Sequence, residues 1–398
     1  SFTATATDAA GNLSPSTAPF TTTIDTLAPS APGALAVPED TNGGVNALEV
    51  ISGGGVPVSV PLASTGAVAG DVITLTVDDP TTNTPITLSY TLTAADITAG
   101  TASVLVPTAN IPVDGTYNLS ATITDAAGNT GPASTGSFTV DKTGPTAGTG
   151  ALDASSDTGT PGDNKTSDNT PTLSGTAEPG STVQVTVGGQ TYTATADPTT
   201  GAWTLPVTSA LPDGSHTPLI QVTDAAGNTT NSNGTPFVVD TSAPQAPTVS
   251  SLLSNDATPT LAGIATLAAG EKLTVEVNGA TYTIDPAATI QPTGVSYDAG
   301  SGAWSIDTGT AVPTSGTLGT FTDGKYPITA TATDAAGNAT ADATTNELTI
   351  DTTVAAPVIA PTNGAVISGT GEPGATVTVK DATGATIGTA TVAADGSW

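Results

Sequence analysis

The sequence predicts an all-β protein, a string of small β-sandwich domains set head to tail as an elongated rod, and three observations carry that expectation. The chain has 398 residues, more than the roughly 100–200 of a typical domain, so several domains are expected. Its 45 Gly, 31 Pro and long Thr/Val/Ala stretches favour short strands and turns over helices. One hexapeptide, Thr-Asp-Ala-Ala-Gly-Asn, recurs four times, with its Asp at Asp8, Asp125, Asp224 and Asp334.

The spacings between these Asp residues are 117, 99 and 110, the length of an immunoglobulin-like domain and too long for a solenoid repeat. Other residues keep step. Eleven positions before the motif Asp stands an Asp-Gly pair, at Asp114, Asp213 and Asp323. Sixteen or seventeen positions after it an Asp closes an alternating segment, at Asp25, Asp141, Asp240 and Asp351. Between the markers the apolar residues alternate, as in Tyr117-Asn-Leu119-Ser-Ala121-Thr-Ile123, the form of a half-buried strand. Gly-Ala-Trp at Trp203 and Trp304, and Gly-Ser-Trp at Trp398, open another strand. The expected domains are 30–142, 143–244 and 245–354, with a C-terminal remnant at 1–29 and an N-terminal half at 355–398. Tyr117 and Tyr326, three residues after their Asp, stand where a sandwich's tyrosine corner forms. The lone histidine, His216, holds that place in the middle domain, so a structural role is expected for it in preference to catalysis.

Charge narrows the partners. Lys+Arg is 5 against Asp+Glu 35, for a formal charge of −30. That balance argues against nucleic acid and against an anionic membrane surface, and no apolar run approaches a membrane span. Cations are the natural counter-partner, although excess carboxylate also keeps an exposed protein soluble. Cys and Met are absent, so no disulfide or thiolate metal site is available. The chain opens in mid-pattern without a leader, which reads as an internal piece of a longer protein.

Carboxylate placement then suggests a metal. Eleven residues at about 3.3 Å each span about 35 Å, the height of a sandwich, so Asp114 and Asp141 share the lower end of their domain and Asp125 sits at its upper end. Head-to-tail stacking brings Asp141 toward Asp224 of the next domain, with Asp114 and Glu178 of an Ala-Glu-Pro-Gly loop beside them. The equivalent sets are Asp25 with Asp125, Asp213 and Asp240 with Asp334, and Asp323 and Asp351 with Glu372. Unpaired carboxylates repel one another, and calcium, which takes six to eight oxygens in flexible geometry, resolves the conflict. A second acidic stretch carries Asp157, Asp163 and Asp168 but lacks EF-hand spacing. The competing reading of single Asp residues is turn chemistry, since Asp before Gly or Pro bonds to its own backbone. No phosphate loop or nucleophile elbow is present, and acids repeated once per domain argue against catalysis, so the chain is not expected to be an enzyme.

Taken together, Thr-Asp-Ala-Ala-Gly-Asn, the stretch Asp-Asn-Thr-Pro-Thr-Leu-Ser-Gly-Thr-Ala-Glu-Pro-Gly at 168–180, and Asp-Thr-x-Ala-Pro at Asp25 and Asp240 resemble the bacterial immunoglobulin-like repeats of giant biofilm-associated adhesins. Domain 30–142, with Asn46-Ala-Leu-Glu49 and no Glu-Pro-Gly, resembles a second subtype, and 245–354 departs in having Glu271 after Leu-Ala-Ala-Gly. The resemblance implies an extracellular protein of a Gram-negative cell surface, exported by a type I system. Its repeats would be a calcium-stiffened stalk touching neighbouring repeats, with other cells or matrix engaged by regions elsewhere, for attachment and biofilm formation. Two competing readings are domains that themselves bind a glycan or protein, and accessory modules of a secreted enzyme.

Overall fold

Strand propensity and alternation produce a chain of short strands. The computed structural model describes residues 1–398 apart from Asn42, Thr82, Asn83 and Asn363, and the chain falls into two compact units. One gathers Ser1–Ala151, Ser174–Leu205 and Thr217–Thr235; the other gathers Leu152–Leu173, Pro206–His216 and Pro236–Trp398. Among the described residues no helix is long and apolar enough to cross a membrane.

In the first unit a four-stranded antiparallel sheet runs in the order Pro85–Thr91, Val72–Asp78, Gly115–Thr124, Ser134–Val140. Ile73, Leu75 and Val77 are fully buried and lie opposite Ile123, Ala121 and Leu119. The threonines between them stay partly solvated, as a period of two requires. Strands Gly55–Pro61 and Thr101–Pro107 form a second layer, whose Val56, Val58, Val60, Val104 and Val106 share one core with the first. Tyr117 stacks on Phe138 there, ring centroids 5.3 Å apart. Two short helices interrupt the strands, Ala47–Ile51 and Ala94–Ala99, each opened by a capping box, Asn46 with Glu49 and Thr93 with Asp96. A further sheet of this unit has the order Gln190–Thr195, Thr182–Val187, Leu219–Thr223, Thr229–Asn233.

The second unit holds a sheet in the order Gly214–His216, Phe237–Val239, Lys165–Thr166, the last two strands parallel. Its largest sheet runs Ser315–Gly316, Ala280–Ile284, Lys272–Val277, Ile328–Thr333, Ala339–Ala341. A four-stranded sheet, Thr248–Val249, Thr260–Ile264, Ala303–Asp307, Val295–Tyr297, contributes Leu261, Trp304 and Ile306 to the same core. Toward the C-terminus, Thr376–Lys380 pairs with Thr386–Thr391.

Two framework devices recur. The Tyr117 hydroxyl donates to the Val113 carbonyl at 2.9 Å and the Tyr326 hydroxyl to the Thr322 carbonyl at 3.0 Å. His216 Nε2 lies 2.8 Å from the Pro212 carbonyl, so the histidine makes the same bond, to the carbonyl four residues upstream. The second device is a glycine beneath each tryptophan. A Cβ at Gly175, Gly263 or Gly369 would meet the indole of Trp203, Trp304 or Trp398 at 2.7, 2.6 or 2.9 Å, and the carbonyl of Thr149, Thr248 or Val358 within 2.0 Å. Only glycine lets the strand pass between ring and neighbouring backbone.

Candidate functional site

The hexapeptide folds as a closed loop around its own Asp. Asp125 Oδ1 accepts from the Ala127 and Asn129 amides at 2.9 Å, and Oδ2 accepts from Asn129 Nδ2 at 2.8 Å. Asp224 takes the Gly227 and Asn228 amides and Asn228 Nδ2, while Asp334 takes the amide and Nδ2 of Asn338. Asp8 does the same with Asn12. These donors stabilise the charged form: the Asn12 and Asn129 side chains, then their backbone amides, hold Asp8 and Asp125 below the usual carboxylate range.

The Asn side chain has a second N–H, and it points at the closing Asp of the segment before. Asn129 Nδ2 donates to the Asp25 carbonyl at 3.3 Å, Asn228 Nδ2 to the Asp141 carbonyl at 2.9 Å, and Asn338 Nδ2 to the Asp240 carbonyl at 2.7 Å. One amide group thus joins its own loop to the preceding strand end, three times in succession. The closing Asp carboxylates cap the exit turn, Asp25 accepting from the Leu27 amide, Asp141 from Thr143 and Asp240 from Ser242.

The Asp-Gly acids meet the same exits. Asp114 accepts from the Lys142 amide and the Thr143 hydroxyl, Asp213 from the Thr241 amide and hydroxyl and the Ser242 hydroxyl, and Asp323 from the Thr352 amide and the Thr352 and Thr353 hydroxyls. The Thr241 and Thr352 side chains, followed by their amides, lower the Asp213 and Asp323 carboxyls. So Asp114 lies with the exit after Asp141, and the Asn228 loop lies against Asp141 itself. Among the described residues no hydrogen bond links Glu178 to this group; its carbonyl closes a turn onto Ser181. Glu372 accepts from the Ala355 amide and lines a cleft with Asn255, Asp351, Thr352, Thr353 and Val354.

The stretch 157–168 spreads its acids over successive turns. Asp157 accepts from the Gly162 amide, Asp163 from Lys165, and Asp168 from Thr170 and the Ser156 hydroxyl. Among the described residues no three Asp, Glu, His or Cys side chains gather closely enough to hold a metal ion. The donors nonetheless suit a hard cation in kind. One cleft is lined by Asp25, Asp71 and Asp125 with no lysine among its walls, and each carboxylate has about four lone-pair positions, more than the amides occupy.

Asp71 is a residue that the sequence reading missed. It is 2% exposed and takes the Val68 amide at 2.9 Å. Glu271 takes the Ala268 amide in the same way at 2.8 Å. The signal was an acid directly after the loop glycine, Gly70-Asp71 and Gly270-Glu271, where other domains carry Glu two residues before the glycine.

Comparison with known proteins gives this geometry a setting. The family described as bacterial Ig-like domain matches residues 57–142 and 144–241, a second family of the same description matches 262–352, and one described as bacterial Ig domain matches 355–398. No curated protein sequence matches the chain. Among solved structures it is similar to a Ca2+-stabilised adhesin that helps an Antarctic bacterium reach out and bind ice (29% identity, 93% of this chain and 90% of that one, TM-score 0.38). It is also similar to a tetra-tandem repeat in the extending region of a large adhesion protein (23%, 92% and 89%, 0.31) and to fibronectin(III)-like modules of Clostridium thermocellum CbhA (16%, 52% and 93%, 0.29).

Proposed function

The chain belongs to the bacterial immunoglobulin-like domains, repeated in tandem, and from that premise we propose that it is the extender of a bacterial surface adhesin. In this reading the domains near 30–142, 143–244 and 245–354, with parts of two more at 1–29 and 355–398, hold an adhesive region away from the cell. The role is mechanical and non-catalytic. The observation that supports it is recurrence: the same Asn-to-carbonyl bond is made by Asn129, Asn228 and Asn338. A catalytic constellation would converge once, whereas a stalk must solve the same junction at each step.

Calcium is part of the proposal. Asp25, Asp71 and Asp125, which line one cleft, would have to close further to hold it at the first junction, and Asp351 with Glu372 line the cleft at the last. Asp114, Asp141, Glu178 and Asp224, and Asp213, Asp240 and Asp334, belong to the two between. An ion bound only by the assembled junction opposes bending and adds to folding stability. Its absence inside the cell would leave the first and last junctions slack until export, and its presence outside would stiffen them.

The test is a calorimetric calcium titration of the full chain beside the Asp351→Asn/Glu372→Gln variant. Saturable binding with a dissociation constant of about 0.1–1 mM, the range of extracellular modules, and one site fewer in the variant are expected. No heat up to about ten times that concentration overturns the calcium part of the reading.

A further inference from the structure

The second Ala of the hexapeptide differs in exposure from one occurrence to the next. Ala226 and Ala336 are buried, at 2% and 1% exposure, while their equivalents Ala10 and Ala127 are exposed. The local loop is alike in all four, so the difference comes from what lies against it.

Against the 224–228 loop lies the segment around Asn46. Asn46 Nδ2 donates to the Ala226 carbonyl at 3.0 Å, the Ala47 amide donates to Asn228 Oδ1 at 3.1 Å, and Gly43 faces the Ala225 methyl. The Asn228 side chain therefore has its oxygen and both of its N–H groups engaged. Against the 334–338 loop lies a different segment, 158–160. The Thr158 hydroxyl donates to the Ala336 carbonyl and the Thr160 amide to the Ala335 carbonyl at 3.1 Å. Gly159 (φ +71°) comes so close that a Cβ there would stand 2.3 Å from the Ala335 carbonyl and 2.5 Å from the Gly337 amide. The two docking segments share no sequence, yet both satisfy the carbonyl of the second Ala.

We propose that the Ala-Ala-Gly-Asn face of each hexapeptide is a docking socket for the preceding domain, read mainly through backbone atoms, and that it fixes the junction without a cation. Small side chains admit the incoming backbone, and carbonyl acceptors accept any plug that delivers a donor. One socket sequence thus serves plugs of unrelated sequence, which allows domain subtypes to follow one another in any order. The plug's presence varies. Between strands Thr149–Leu152 and Lys165–Thr166 lie residues 153–164, which carry it; between Thr248–Val249 and Leu252–Ser254 lie only Ser250 and Ser251. Among the described residues, domain 245–354 therefore carries no plug at this position, and Asp351 and Glu372 line the cleft at its end.

The absence of cysteine makes paired spin labels straightforward on the full chain. Pairs at Ser137→Cys/Thr191→Cys and at Lys325→Cys/Thr386→Cys report the 142/143 and 354/355 junctions by electron-electron distance measurement in excess chelator. The first pair is expected to give one narrow distance and the second a broad distribution. Asn46→Asp keeps the helix cap but cannot donate to Ala226, and it should shift the first junction roughly tenfold toward undocked distances, as expected for a lost, partly buried hydrogen bond. Ala226→Leu should act likewise and Ala127→Leu, at an exposed equivalent, should not change the 142/143 distance. A broad first-pair distribution in chelator, or a narrow one that survives both Asn46→Asp and Ala226→Leu, overturns the socket. Neither result depends on calcium binding, so the outcome is separable from the titration above.

Discussion

Asn228 donates its side-chain amide to the carbonyl of Asp141, 2.9 Å away and 87 residues earlier in the chain. The same side chain also holds Asp224 and receives the Ala47 amide, so one polar residue ties three segments. Because it is 9% exposed, water cannot easily replace those partners, and each lost bond costs about 1 kcal/mol or more. Asn228→Ala should therefore raise amide exchange at Ala47 and along 224–228 at least about tenfold, read by mass spectrometry on the intact chain. Exchange that stays at the wild-type rate would show that the hub is dispensable.

The corner bonds make a graded prediction. Tyr117→Phe and Tyr326→Phe each remove one hydroxyl donor and should cost about 0.5–1.5 kcal/mol in denaturant unfolding. His216→Tyr should hold stability because a phenol reaches the Pro212 carbonyl from the same position, whereas His216→Ala should lower it.

Close approach under the indoles predicts a sharp local failure. Gly263→Ala places a methyl against the Thr248 carbonyl and the Trp304 ring and should destabilise by several kcal/mol, on the order of 3 or more. Protection against hydrogen exchange in the strands of 245–354 should collapse while that of Gly115–Thr124 stays unchanged. Equal loss in both regions would argue that the domains do not fold independently.

Asp125, Asp213 and Asp323 carry lowered carboxyl pKa values, chiefly from the Asn129, Thr241 and Thr352 side chains. A depressed folded value means that stability is fully present above the unfolded pKa of about 3.9 and is lost as pH falls through the folded value. Thermal unfolding midpoints should accordingly be flat from about pH 7 to 5 and fall below about pH 4. Thr241→Val should weaken that acid dependence.

Much of this was legible in the residues because the relevant partners sit at fixed, short spacing. Period-two alternation gave the strands, the Asp-Gly and closing Asp gave the lower ends, and equivalence to Tyr117 and Tyr326 placed His216 in the framework. What escaped was three-dimensional. The Asn of the hexapeptide reads as turn chemistry until its second N–H is seen to reach a carbonyl about a hundred residues away. Asp71 escaped because it stands on the other side of the loop glycine from Glu178. The segments at 43–47 and 158–160 share a contact and no sequence, so no repeat search could pair them. Two α-helices, Ala47–Ile51 and Ala94–Ala99, also form among the described residues, because Asn46 and Thr93 each cap a first turn that strand propensity alone does not foresee.

Small-angle X-ray scattering from the full chain, compared in calcium and in chelator, tests the stalk reading most directly. If the domains form a spacer whose junctions calcium stiffens, the maximum dimension should lengthen with calcium and shorten reversibly on chelation, with Asp25 and Asp351 substitutions abolishing the difference. Superimposable profiles in the two conditions would contradict it.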